Sequence, residues 1–245
     1  MLNHQAAFPT TDWGLLKNIR GANSALLSAG LEILAKRYWR PAYCFLRRSG
    51  HNDADSKDLT QAFFAVWIQK NGFAKADLDK GRFRSFMLAS LKRFVSNVRR
   101  ADDAQRRKPD KGLLSLDALM DNEESAFEPQ DAGLSPERIF DRQWAVGVVM
   151  RVIRQLEMEC QKTDKSMHYD IFLQRIINPV LHGDLEQPLA GLGEKHGITE
   201  KQAGNCLLTA KRAYRRLMED EVRLYAETES DVADEIRDLF RILGQ

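Results

Sequence analysis

The sequence has few cysteines and lacks any long apolar run. Cys44, Cys160 and Cys206 are far apart and form no C-x-x-C pair, which argues against a disulfide framework or a zinc knuckle. No stretch approaches the roughly 20 apolar residues that a membrane span requires. The first residues show no basic segment followed by an apolar core, so we expect no signal peptide, no membrane partner and a cytoplasmic location.

Alternating runs of valine, isoleucine and threonine are also missing, so nothing predicts a sheet. Apolar residues instead recur at helical spacing, which predicts an all-α fold. The 245 residues, 43% hydrophobic and 29% charged, suit one large or two small globular domains. Helices are expected at about 25–48 (kinked or restarted at Pro41), 53–70, 83–100, 137–160, 168–182, 188–196 and 200–218. The apolar stripe of the second is expected at Leu59, Phe63, Val66 and Trp67, and a further helix in the tail is expected with a stripe at Val232, Ile236, Leu239 and Phe240.

Positive charge is concentrated in the first part of the chain. Residues 1–111 hold 21 Lys and Arg against 10 Asp and Glu, whereas residues 112–136 hold six acidic residues and no basic one. Residues 137–245 hold 16 basic against 19 acidic residues, which brings the total to +2. A basic half of this kind points to a polyanion as partner. A solvated basic face is the alternative.

Residues 109–136 contain three prolines, two glycines and no useful apolar stripe, which predicts an acidic linker. The chain is therefore divided into two small helical domains, 1–108 and 137–218, and an acidic tail, 219–245. The second domain is expected to end in a helix-turn-helix.

The predicted helix-turn-helix has a turn at Gly197 and a capping box in which Thr199 caps the second helix and Gln202 reaches back. Side chains opposite its apolar stripe include amides that suit base edges and basic groups that suit phosphates. This face consists of Lys201, Gln202, Asn205, Thr209, Arg212 and Arg216. An ordinary pair of helices with a solvated face is the alternative interpretation.

A second candidate is the segment from Arg82 to Lys111, which contains ten basic and three acidic residues. Phe83, Phe86 and Phe94 are interleaved with the basic side chains, a mixture that suits single-stranded or distorted nucleic acid. At helical spacing, the phenylalanines could equally form a core.

No pattern in the sequence predicts catalysis. Asp53, Asp55 and Asp58 have a metal-like spacing but lack the glycine and terminal glutamate of a calcium loop. Their place at a helix N-terminus favours capping. No catalytic residue, metal or cofactor is predicted, and an enzyme is not expected.

Four segments together suggest a family. They are YWRPAYCFLRR at 38–48, DLTQAFF at 58–64, KGRFRSFMLASLK at 80–92 and the helix-turn-helix. In this order they resemble the extracytoplasmic-function (ECF) group of bacterial RNA polymerase sigma factors. The first three are similar to the family's first helix, its polymerase-binding segment and the segment that melts and reads the minus-ten element. The fourth is similar to the module that reads the minus-thirty-five element.

The resemblance implies a sigma region 2-like domain at 1–108 and a region 4-like domain at 137–218. The partners it implies are core RNA polymerase and promoter DNA, and in some relatives a separate anti-sigma protein. It assigns polymerase binding to Asp58, Gln61 and Phe64. It assigns minus-ten DNA contacts to Arg84, Lys92, Arg93, Asn97, Arg99 and Arg100. In the helix-turn-helix it assigns DNA contacts to Thr199, Lys201, Gln202, Asn205, Thr209, Arg212 and Arg216.

The chain departs from the family pattern in the helix-turn-helix. Gly191-Leu192-Gly193 stands where relatives often have Glu-Ile-Ala, and Gly204, Leu208 and Thr209 stand where they often carry basic residues or histidine. Weak DNA binding by this module alone is therefore expected. The alternative function is a sigma-like helix-turn-helix DNA-binding regulator without promoter-opening activity, which would not need a polymerase-binding helix.

Overall fold

The computed structural model describes residues 24–70, 82–104, 133–223 and 228–244, and within these ranges it contains helices and no strand. The all-α prediction is confirmed for this part of the chain. None of the described helices is both long and apolar enough to cross a membrane. The helices are α1 (Ser24–Arg48), α2 (Asp53–Gln69), α3 (Phe83–Ala104), α4 (Pro136–Lys162), α5 (Ser166–Phe172), α6 (Asn178–His182), α7 (Leu189–His196), α8 (Glu200–Arg223) and α9 (Glu229–Leu243).

Two helices differ from their predicted form. The chain from Ser24 to Arg48 is a single helix that contains Pro41, so the helix does not restart there. The predicted helix at 168–182 is instead two α-helices, α5 and α6, separated by a π-helical turn at Leu173–Ile177. In such a turn the backbone hydrogen bonds span five residues instead of four, a local change that apolar periodicity does not reveal.

The chain divides into two compact units with different boundaries from those predicted. One unit comprises Met1–Gly147 with Arg223–Gln245, and the other comprises Val148–Val222. The acidic tail therefore belongs with the first unit rather than standing apart. The boundary falls within α4, and residues 109–132 of the predicted linker lie outside the described residues.

The core of the first unit is built on aromatic residues from α1, α2 and α3. Tyr38 and Phe83 are almost fully buried, and their rings meet edge to face at 5.6 Å. Phe63 of α2 meets Phe94 of α3 in the same manner at 5.7 Å. Edge-to-face pairs add to the free energy that burial of such large apolar rings supplies. These contacts fix α2 and α3, which carry two of the predicted binding segments.

The buried face of α2 is rotated from the predicted stripe. Phe63 and Trp67 are buried as expected, but Leu59 and Val66 are partly exposed. Ser56 and Thr60 are buried instead, against the expectation of an apolar stripe. Both side chains are small, and the Thr60 hydroxyl donates to the Ser56 carbonyl oxygen at 2.7 Å. Because the helix satisfies this polar group itself, Thr60 can enter the core.

The acidic residues at the start of α2 act at the helix terminus, although the cap itself is Asn52. The Asn52 side chain accepts a hydrogen bond from the Asp55 backbone N–H at 2.8 Å. Asp53 and Asp55 follow in the first turn, where the helix dipole favours negative charge. A hydrogen bond from Tyr43 is the main cause that lowers the pKa of Asp53. The predicted capping by these acidic residues is therefore corrected: Asn52 is the cap, and Asp53 and Asp55 stabilise the helix N-terminus by their charge.

The second unit has an apolar core and one buried ion pair. Val152, Leu156 and Ile171 are fully buried within it. Arg151 Nε donates to Glu221 Oε1 at 2.8 Å, so the buried Glu221 carboxylate has a charged partner. A buried carboxylate requires such a partner because desolvation of an unpaired charge is strongly unfavourable.

Gly193 lets α7 approach the turn that follows it. A Cβ atom at this position would lie 2.8 Å from the Ile198 carbonyl oxygen and 3.3 Å from the Glu200 backbone nitrogen. Both neighbours are backbone atoms and cannot move independently. One departure from the family pattern is thus explained by close packing of helix against turn.

We predict that Gly193→Ala destabilises the second unit by about 1–3 kcal/mol, because the added methyl group overpacks against backbone. Gly191→Ala is the matched control, since its Cβ would meet only Pro188 Cγ at 3.7 Å. Alanine's helix propensity should make that control neutral or up to about 1 kcal/mol stabilising. Thermal unfolding of the two variants measures the difference, and equal melting temperatures would contradict the packing argument.

Candidate nucleic-acid interface

The outer face of α3 carries exposed basic side chains. The buried stripe of this helix is formed by Phe83, Met87, Leu91 and Val95. Away from this stripe, five of the predicted DNA-binding residues are exposed: Lys92, Arg93, Asn97, Arg99 and Arg100. Guanidinium and ammonium groups held in this way can bind phosphates through charge-assisted hydrogen bonds. We call these five residues the basic face.

Two side chains of the basic face, Lys92 and Arg100, contact neighbouring residues and remain exposed. Lys92 Nζ lies 2.8 Å from Glu137 Oε1, and both side chains are about half exposed. Arg100 Nη2 donates to Ser96 Oγ at 3.0 Å. Exposed contacts of this kind contribute little free energy. A phosphate could therefore replace them at little cost.

The phenylalanines of α3 are engaged in packing. Phe83 is 2% exposed and belongs to the core. Phe94 meets Phe63 edge to face at 5.7 Å, and Phe86 lies 6.1 Å from Phe83. The core interpretation thus holds for Phe83, and the stacking interpretation is wrong for it. The exposed surface of α3 therefore offers charged groups rather than the Phe83 ring.

Arg84 was predicted to contact DNA, but it lies on the buried side of α3. It is 5% exposed, and its guanidinium carbon lies 4.4 Å from the centre of the Trp144 ring. Arg84 precedes Met87 by three residues and Leu91 by seven, which places it on the apolar stripe. The expectation that it faces outward with the basic face is therefore wrong for this conformation.

Arg84 belongs to a cluster of three arginines and three carboxylates, all in the first unit. Its members, named here the tail cluster, are Arg82, Arg84, Asp141, Glu235, Asp238 and Arg241. Arg84 Nη2 lies 2.6 Å from Asp238 Oδ2 and Arg84 Nε lies 3.1 Å from Asp141 Oδ1. Arg82 Nε lies 3.0 Å from Glu235 Oε2, and Arg82 also pairs with Asp238. Arg241 Nε donates to Asp238 Oδ1 at 2.9 Å.

Burial and neighbouring charges shift the pKa values of the tail cluster in opposite directions. Burial alone would lower the pKa of Arg84, but Glu235, Asp141 and Asp238 raise it above its ordinary value. Burial alone would raise the pKa of Asp238, but hydrogen bonds from Arg241 and Arg84 hold it below its usual range. For Glu235 burial prevails, and its pKa is raised. Arg84 therefore remains charged, and its hydrogen bond helps to hold Asp238 as a carboxylate.

The sequence analysis did not predict the tail cluster, although one feature of the sequence indicates it. Glu235 lies three residues after the buried Val232 and four before the buried Leu239, so an acidic residue sits on the apolar stripe of α9. A charged residue on a buried stripe requires an opposite charge from another element. The stripe itself was expected at Val232, Ile236, Leu239 and Phe240, but Phe240 is 51% exposed and Ile242 is buried in its place.

The predicted polymerase contact on α2 is only partly at the surface. Asp58 is exposed and Gln61 is partly exposed, but Phe64 is 1% exposed and packs in the core. The assignment of Phe64 to a partner surface is wrong for this conformation. Its spacing explains this, since it follows the buried Thr60 by four residues.

In the second unit, a tight turn leads into α8 through the predicted capping box. Gly197 has a left-handed backbone with φ of +67°. The Thr199 backbone N–H donates to Gln202 Oε1 at 2.8 Å, and the Gln202 N–H donates to Thr199 Oγ1 at 3.3 Å. Both arms of the capping box are therefore present, as predicted.

The capping box limits how Gln202 can read a base. Its Oε1 accepts from both the backbone N–H and the hydroxyl of Thr199, the latter at 2.9 Å. A bidentate contact to adenine needs the amide oxygen and the amide nitrogen together. Asn205 lies further along the exposed surface of α8. The geometry therefore favours Asn205 over Gln202 as a reader of base edges.

The remaining predicted residues of α8 are exposed and differ in their contacts. Arg216 Nη2 donates to Glu159 Oε1 at 2.7 Å, so this arginine is paired within the unit. The Thr209 hydroxyl donates to the Asn205 carbonyl oxygen at 2.9 Å, which directs it to the helix backbone. Lys201 and Arg212 are at the surface, where they suit phosphate contacts.

Asp170 connects α5 to α7 and so orients the helix pair. Its Oδ2 lies 2.5 Å from Gln174 Nε2, 2.8 Å from His196 Nε2 and 3.3 Å from Lys195 Nζ. Burial alone would raise the pKa of Asp170, but hydrogen bonds from these three side chains hold it below its ordinary value. The ionised carboxylate therefore stabilises the position of α7.

The chain matches no protein-family model, no curated protein and no solved structure. Within the described ranges, no group of three or more His, Cys, Asp or Glu side chains could hold a metal ion.

We predict that Asp170→Asn lowers the stability of the second unit by about 1 kcal/mol at neutral pH, because the partly exposed site is screened by solvent. A carboxylate whose folded pKa is lowered stabilises the fold above its unfolded pKa of about 3.9, and this contribution is lost as the pH falls through the folded value. Urea unfolding of wild type and variant should converge as the pH falls from 6 towards 3. A difference that is independent of pH would contradict this role, and the exposed Asp184→Asn is the control.

Proposed function

We propose that this chain is an RNA polymerase sigma factor of the ECF type, which binds core polymerase and directs promoter-specific transcription initiation. The observation that carries the proposal is that two surfaces suited to DNA lie on two different units. The basic face belongs to α3 in the first unit, and the exposed surface of α8 belongs to the second. A sigma factor requires two such surfaces, since it contacts two promoter elements.

The two surfaces suit different tasks. The basic face offers charge with few base-reading groups, which suits the phosphates near a melted segment. The start of α8 offers Asn205 for a base edge and Lys201 and Arg212 for phosphates, which suits a helix in a major groove. Because one chain carries both, binding at one element raises the effective concentration at the other. This supports selective binding even where α8 alone binds weakly.

A second candidate function is a sigma-like regulator that binds DNA without opening promoters. One observation favours it: Phe64 and Arg84, which the resemblance assigns to polymerase and to the melted region, are both buried. The two candidates differ in whether the chain binds core polymerase. Co-purification of the full chain with core polymerase therefore separates them.

We predict that the full chain binds core polymerase through the exposed face of α2 that carries Asp58. Asp58→Ala should weaken this binding about tenfold or more, the loss found when a residue that carries much of the binding energy is truncated. Gln69→Ala, an exposed position on the same helix, is the control and should bind as wild type does. Far-UV circular dichroism should be unchanged in both. Equal binding by Asp58→Ala would contradict the assignment, and no binding by the wild-type chain would contradict the proposed function.

We predict that Arg93→Ala combined with Arg99→Ala weakens binding of the polymerase complex to DNA of any sequence. Each lost phosphate contact should reduce the salt slope of the affinity by about one. Lys162→Ala with Lys165→Ala removes the same charge from exposed positions outside the basic face and is the matched control. Fluorescence anisotropy at several salt concentrations measures both. Identical slopes for the two double variants would show that the basic face is merely solvated.

A further inference from the structure

We propose that α9 is an autoinhibitory element: Glu235 and Asp238 pair with Arg82 and Arg84, which lie just before and at the start of α3, and so keep both guanidinium groups from DNA. The inference rests on the proposed function, since the ligand withheld is DNA. Displacement of α9 would extend the basic face towards the start of α3. The tail would thus regulate the site that it covers.

The carboxylates of α9 lie where phosphate oxygens could bind. Arg84 Nη2 is 2.6 Å from Asp238 Oδ2, and Arg82 Nε is 3.0 Å from Glu235 Oε2. A guanidinium group forms the same paired hydrogen bonds with carboxylate and with phosphate. Glu235 and Asp238 therefore compete directly with a nucleic-acid backbone for these two arginines.

The covered arginines continue a surface that is otherwise open. Arg93, Arg99 and Arg100 of the same helix are exposed, whereas Arg84 is 5% exposed. The side chain of Arg82 retains 41% exposure, so it lies at the edge of the covered area. The cover is thus limited to the first turn of α3 and the residue before it.

The pairing within the tail cluster is incomplete. Arg84 Nη1 makes no hydrogen bond with any described residue, and it lies 3.6 Å from Glu235 Oε1. Buried charge clusters contribute little net stability, because desolvation offsets most of the attraction. A polyanion that replaces both carboxylates would therefore meet only modest opposition from the cluster itself.

The attachment of α9 depends on few apolar side chains. Within this 15-residue helix, Val232, Leu239 and Ile242 are buried, while Asp234, Arg237 and Phe240 are exposed. Three apolar anchors and a charge cluster hold the helix on the first unit. Elements with few buried apolar contacts are those that open locally before the rest of a protein unfolds.

The test uses the full chain and a fluorescein-labelled single-stranded DNA of 20 mixed nucleotides. Glu235→Gln and Asp238→Asn, singly and together, keep the side-chain shapes but remove the competing charges. The double variant should bind about 5- to 150-fold tighter than wild type, the usual range of coupling between two sites. Its salt slope should steepen by about 1.4, because two more arginines contact a single strand.

Asp234→Asn is the matched control, since it removes one charge from α9 at an exposed residue that pairs only locally, with Arg237 at 2.7 Å. It should bind DNA as wild type does. Arg82→Gln, added to the double variant, should remove about half of the gain in salt slope. Equal gains from Asp234→Asn and Glu235→Gln would overturn the proposal, because net charge alone would then explain the effect.

Folded single and double variants that bind DNA no more tightly than wild type, or no binding by any form, would also overturn it. Such a result leaves the proposed function intact if the wild-type chain still co-purifies with core polymerase. If the double variant does not fold, hydrogen exchange of the wild-type chain with and without DNA tests the proposal instead. Saturating DNA should increase exchange of backbone amides in α9, and unchanged exchange there with DNA bound would overturn the proposal.

Discussion

The burial of Arg84 requires charged partners from two other helices of the first unit. A guanidinium group that is almost excluded from water needs carboxylates close by, and the chain supplies Asp141 from α4 with Glu235 and Asp238 from α9. The arrangement joins three helices that are remote in sequence. It also explains why the acidic tail belongs to the first unit. Replacing one partner alone would leave an uncompensated buried charge.

The same constraint divides α3 into two parts. Its first turn is held by the tail cluster, while the following turns present the basic face to solvent. The second unit adds a separate surface on α8, where a capping box and Gly193 fix the geometry of the helix pair. Two surfaces with different balances of charge and amide groups are what a promoter-binding protein needs. The proposed sigma function relies on the exposed part of α3 together with α8, and the proposed control by α9 relies on the covered start of α3.

Local signals in the sequence were sufficient to predict most of the helices and one helix cap. The Thr199–Gln202 capping box depends on residues three apart, and the structure confirms it. The predicted exposure of Phe64 and Arg84 was wrong. Which side of a helix is buried depends on small rotations of the helix and on partners that are distant in sequence. Arg84 and Asp238 are 154 residues apart, and no local pattern connects them. Thr60 entered the core because its hydroxyl is satisfied within its own helix, which periodicity of apolar residues does not detect.

We propose that this chain directs core polymerase to promoters. Mapping of transcript 5′ ends tests it most directly, with purified core polymerase and genomic DNA from the protein's own source, in the presence and absence of the full chain. The proposal predicts discrete start sites that appear only with the chain and share sequence elements near minus ten and minus thirty-five. Binding of the chain to DNA without any chain-dependent start site would contradict it.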